Sequence, residues 1–154
     1  FDQGPTRGLG NIHFHDFNQA YEIYKCKNIN IFREQIKALM ELLSKAGPDA
    51  EQAKDIDYLL ALGECFCLVV YGQLILENAE HLGANEDLLD RIFDFMVRDM
   101  SGYALGIFSK PSSSEEQKRL ALEIIRAPVA DPAGFERTWH EQVYALRGVY
   151  PTGL

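Results

Sequence analysis

Positive charge is in short supply in this chain of 154 residues: 15 Lys and Arg stand against 23 Asp and Glu, a formal net charge of -8. That balance argues against a broad electrostatic grip on nucleic acid or on an anionic membrane surface. Cysteine is scarce and odd in number, with Cys26, Cys65 and Cys67 alone, so a disulfide framework is not expected and buried thiols in a reducing cytoplasm are the simple reading. Strand-like alternation is nearly missing, confined to Ile12, Phe14 and Phe17 against His13, His15 and Asp16. Also lacking are a G-x-S-x-G elbow, a phosphate-binding lysine loop, and any Glu-x-x-His pair of the kind that builds two-metal sites in helical bundles. No uncharged run reaches the roughly 20 residues of a bilayer span, so no transmembrane segment is expected.

What the chain does have is helix signals. The stretch 55–83, DIDYLLALGECFCLVVYGQLILENAEHLG, carries no charge between Glu64 and Glu77. Its residues Ile56, Leu59, Leu60, Cys67, Val70, Tyr71 and Leu74 follow helical spacing, and Cys65, Phe66, Leu68, Val69 and Ile75 fill most of the remaining circumference. A helix apolar nearly all round is expected to be covered on most sides, which makes this the central, buried helix, starting near residues 49–51.

Before it, Ile29, Phe32, Ile36, Leu39, Met40 and Leu43 repeat at three and four, with Asn28 or Asn30 as cap and Gly47-Pro48 as stop. After it, Asn85 caps a helix striped from Leu88 to Phe108, expected to lie antiparallel against the central one. Gly102 and Gly106 form a packing notch in that stripe. A fourth helix follows Lys110-Pro111, with a capping box from Ser113 with Glu116 or Ser114 with Gln117. A fifth has Asp131 as N-cap and Pro132 at its first position, with Phe135, Trp139, Val143 and Leu146 as its lining. The fold class is therefore all-α: a compact bundle of about five helices with a long buried central helix and an extended N-terminal arm. Residues 1–27 read as the arm or linker, within which Tyr21, Ile23 and Tyr24 form at most a helical turn, and residues 28–154 as one helical domain.

Candidate chemistry is thin. His13, His15 and Asp16 make at most a partial ligand set, because structural zinc takes four protein ligands and catalytic zinc three. His81 and His140 read as surface or capping groups, Asp55 and Asp57 as carboxylates favoured by a helix dipole, and Cys65 and Cys67 as inert buried thiols. Aromatic residues Phe32, Phe66, Phe93, Tyr103, Phe108 and Trp139 fall at core spacing. No residue is therefore assigned to a catalytic, cofactor-binding or metal role.

Four segments, in order and spanning nearly the whole chain, carry a family resemblance: FDQGPTRGLGNIHFHD, LLALGECFCLVVYGQLILENA, VRDMSGYALGIFSKPSSSEEQ and IRAPVADPAGFERTWHEQVYALRGVY. They resemble the C-terminal region of bacterial acyl-CoA dehydrogenases that carry an extra helical domain after the catalytic fold. The resemblance implies a parent enzyme that binds FAD, removes an α-proton from acyl-CoA with a glutamate and passes a hydride to flavin N5, all in upstream domains. The abrupt start without Met fits a piece of a longer protein. None of the family's catalytic or flavin positions matches a residue here, so this fragment alone is expected to be inactive and without cofactor.

The function expected is that of a noncatalytic accessory domain, cytoplasmic, serving subunit packing or covering the catalytic body, with the upstream catalytic domains as partners and homo-oligomerisation through excess apolar surface. An acidic domain argues against the membrane contact made by related very-long-chain enzymes. An independent helical interaction module, or a small helical enzyme whose site only the fold assembles, are the other readings.

Overall fold

A computed structural model of the chain describes residue 16 and residues 18–149. Most of the expected arm, including Ile12, His13, Phe14, His15 and Phe17, lies outside the described residues. Within them the protein is a helical bundle of six α-helices with no strand: α1 (Asn18–Ile23), α2 (Lys27–Lys45), α3 (Ile56–Leu82), α4 (Glu86–Ser109), α5 (Glu115–Ile124) and α6 (Pro132–Thr138). Helix α1 occupies the stretch where a single helical turn was expected, and its Ala20 and Tyr21 are buried.

Helix ends follow local chemistry. The Asp55 side chain accepts from the Tyr58 N–H, Asn85 from Leu88, and Asp131 from Gly134 ahead of Pro132. Of the two capping boxes considered, Ser114 with Gln117 forms. Gly83, at φ 63°, ends α3 in the left-handed conformation that glycine adopts without penalty, and the Ala84 N–H closes back on the Ala79 carbonyl. Two starts differ from the sequence reading. A short 3-10 turn, Gln52–Lys54, occupies the residues just after the expected start of α3, and α3 itself begins after Asp55. Helix α2 begins at Lys27, so Asn28 and Asn30 sit inside it and neither caps it.

The Asn28 side chain is drawn inward instead. Its amide nitrogen donates to Asp90 Oδ2 at 2.9 Å and to the Val129 carbonyl, and its oxygen accepts from the Val129 N–H at 2.8 Å. Three other buried amides tie segments together. Gln35 Nε2 donates to the carbonyls of Val97 and Ile124, and Gln52 and Gln117 bond each other while holding the carbonyls of Ser112 and Ala46. Buried amides bonded across segments in this way fix helix register, although the Gln35 oxygen has no partner.

The core is built on an aromatic cluster of Tyr21, Phe32 and Phe93, with ring centroids 5.5–6.1 Å apart, extended by Ile29, Leu42, Met100 and Ile107. Helices α3 and α4 run antiparallel, as expected: Lys110 reaches Asp55, Gly106 faces Ala61 and Met96 lies beside Gly72. It is α4, however, that occupies the centre, touching α2, α3, α5 and α6. Helix α3 lies at the edge of the bundle with α4 and α1 on one side only. The expectation of a central helix covered on most sides is thus corrected: being apolar all round gives a helix no preferred face, and α4, with a clear stripe, takes the interior.

Candidate functional site

Helix α3 buries Tyr58, Cys65, Val69, Gly72, Leu76 and Ala79, which recur at three and four and define one face. The opposite face points out. On it Phe66 is 60% exposed, Tyr71 61% and Leu74 56%, with Leu60, Cys67 and Val70 exposed between them. Glu64 and the stripe from Phe66 to Leu74 line an open hollow of about 470 Å³ along this face. A contiguous apolar surface rimmed by polar groups is the usual mark of an association site. At 27 residues α3 is also long and apolar enough to cross a membrane, by length and composition alone.

A second apolar patch lies on α6 and the turns beyond it. Phe135, Trp139, Val143 and Leu146, expected as the inner lining of the last helix, are all exposed. The physical reason is that α6 ends at Thr138, and the following residues wind first as a π turn, Trp139–Val143, and then as a 3-10 turn, Tyr144–Leu146. Phe135, within α6, faces out because Gly134 and Thr138 take the inward positions, and the changes of pitch beyond leave Trp139, Val143 and Leu146 outside the core. Phe66 likewise leaves the expected core set, while Phe32 and Phe93 are wholly buried.

The expected glycine notch on α4 is also corrected. Gly102 faces open space and Gly106 is in ordinary contact with Ala61, 3.5 Å from where its Cβ would be. The close approach occurs at Gly72 of α3, which receives the Tyr21 ring; the Tyr21 hydroxyl donates to the Val69 carbonyl at 2.7 Å.

The reactive groups divide by burial. Cys65 is buried, and desolvation pushes its thiol up to about 12; Cys26, pushed up to about 11 chiefly by the same cause, donates weakly to the Glu86 carbonyl. Cys67, expected to be buried with Cys65, is exposed on the outward face of α3, because two residues along a helix turn a side chain by about 200°.

A smaller, more polar hollow of about 210 Å³ lies between Lys25, Lys27, Glu86, Asp87, Asp90 and Asp131. Several of its acids have structural work: Asp87 takes a two-pronged bond from Arg137 at 2.6 and 2.8 Å, and Asp90 holds Asn28 and Arg91. Among the described residues no group of three or more His, Cys, Asp or Glu is placed to hold a metal ion. His81 is exposed, and His140 lies 3.6 Å from Glu136 at the surface.

No protein-family model matches the chain, nor does any curated protein or solved structure. What distinguishes the molecule is therefore its own geometry, above all the outward stripe of α3. Spacing could have revealed that stripe, since Leu60, Cys67 and Leu74 fall seven apart, but the apolar residues around the rest of the helix hid it.

Proposed function

We propose that this domain is a noncatalytic assembly element whose α3 face is covered by another protein surface. In the setting suggested by the sequence resemblance, it is the C-terminal accessory domain of a cytoplasmic, FAD-dependent acyl-CoA dehydrogenase. The flavin and the acyl-CoA chemistry then belong to upstream catalytic domains, which are its partners along with further copies of the chain. The observation that carries the assembly role is the exposed row Phe66, Val70, Tyr71 and Leu74 on one side of a helix whose other side is fully packed. Leaving such a row in water costs roughly 25 cal/mol for each Å² of apolar surface, so covering it is a ready source of association energy.

Two measurements test the reading. A fluorescent apolar dye should bind the wild-type chain and lose most of its signal in a Val70→Glu, Leu74→Glu variant that keeps its helical circular dichroism. Calorimetry with FAD and with an acyl-CoA should show no tight stoichiometric binding. Stoichiometric flavin binding by this chain would overturn the noncatalytic assignment, and an unchanged dye signal would remove the α3 face as the association surface.

A further inference from the structure

The outward stripe of α3 is centred on Cys67, with a leucine one heptad away on each side. Leu60 and Leu74 lie seven residues to either side of Cys67, Gly63 and Tyr71 four, and Glu64 and Val70 three. We propose that the occupant of this face is a second copy of the same helix, crossing antiparallel about a twofold axis that passes beside Cys67. The proposal rests on the assembly reading of α3 and adds to it the partner and the register.

In a twofold pairing of this kind a residue on one flank meets the residue equally far on the other side of the axis and on the same flank of the partner helix. At 100° per residue, Leu60 then meets Leu74 of the other copy, and the side chain of Val70 fills the space above Gly63. Gly63 suits that role, since nothing lies within 4 Å of where its side chain would begin. Glu64, exposed at the rim, falls beside the Tyr71 phenol, a hydroxyl donor for its carboxylate, while Phe66, about a hundred degrees round the helix from Cys67, borders the contact. Charge is compatible too: Glu77 and Asp57, ten residues either side of Cys67, lie on opposite flanks of the helix and do not meet across the axis. Spacing of seven between Leu60, Cys67 and Leu74 is the repeat that keeps two α-helices in contact over several turns.

Size agrees as well. From their fractional exposures, the outward side chains of α3 with Ile56, Leu59 and Leu60 present on the order of 800 Å², the share each partner contributes to a standard stable interface. Polar complementarity and area both hold without a second chemical species.

The test uses the 154-residue chain. Sedimentation equilibrium should give twice the 17.4 kDa chain mass at tens of micromolar. A short bismaleimide should link the two copies through Cys67, the exposed thiol, and Cys67→Ser should abolish the link while the dimer persists. Gly63→Leu should weaken the dimer roughly tenfold or more by filling the space that Val70 of the partner needs. It leaves the isolated fold intact, because no atom lies within 4 Å of the added Cβ and a helix prefers Leu to Gly. A monomer at all concentrations, flotation with neutral lipid vesicles in place of dimerisation, a dimer that Cys67 cannot link, or one indifferent to Gly63→Leu would each overturn the pairing. A monomer that still binds the apolar dye on this face would sink the twofold pairing alone and leave the assembly role standing with a different partner.

Discussion

The phenol of Tyr21 occupies the space in which a side chain at Gly72 would begin. A Cβ built there would overlap the Tyr21 hydroxyl and lie 3.1 Å from Met96 Cε. Gly72→Ala is therefore expected to destabilise the fold by about 1–3 kcal/mol, despite the better helix propensity of Ala. In a Tyr21→Phe background the same change should cost less, since the overlapping atom is gone. A double-mutant cycle by urea denaturation reads the coupling, and additive costs would remove the steric explanation.

Asn28 joins three segments through one buried amide. Asn28→Ala strips the partner from the Val129 N–H and leaves the Asp90 carboxylate short of one donor. The backbone donor from residue 28 survives the substitution, so the cost is that of the side-chain bonds, about 2–3 kcal/mol. Chemical denaturation measures it, and hydrogen exchange should show the loss first at the Val129 amide.

Acid should weaken the join between the start of α3 and the end of α4. The Lys110 ammonium bonds Asp55 at 3.0 Å, and this bond, with the Tyr58 N–H, holds the Asp55 carboxyl below its ordinary value. A carboxyl depressed by folding adds stability above its unfolded value of about 4, and that contribution is lost as pH falls through the lower folded value. Asp55→Asn keeps an N-cap of similar quality but loses the charge. Its melting temperature should fall less steeply than that of wild type below about pH 4. Identical acid limbs would show that the pair does not contribute.

Tyr58 gives a prediction of the opposite sign. Its side chain is wholly buried and its hydroxyl lacks a hydrogen-bond partner, while burial raises its pKa above the ordinary phenol range. Tyr58→Phe removes an unpaired polar group with little change in volume. Stability should stay level or rise by about 1 kcal/mol, and a loss would mean that the hydroxyl is satisfied in solution.

How much of this was legible in the sequence depended on distance along the chain. Caps at Asn85, Ser114 and Asp131 could be read because each bonds a backbone group three residues on. The helical class and the antiparallel pairing of α3 with α4 followed from period and a short joint. Asn28 misled, since an Asn ahead of an apolar stripe looks like a cap while its partners sit 62 and 101 residues away. The outward face of α3 was hidden for a different reason: a helix with apolar residues on every side carries no mark of which side the fold will use. Contacts made from other segments, α4 along its length and Tyr21 against Gly72, decide the orientation and with it the exposure of Cys67 rather than Cys65.

The bond between Asn28 and Val129 also limits how far the domain can be trimmed. It pins the extended joint between α5 and α6 to the first turn of α2, so the chain cannot be cut back to the end of α5. Cutting the chain ahead of Val129 would strand the Asn28 amide in the interior, and a minimal version of this fold has to keep that joint even if α6 is discarded.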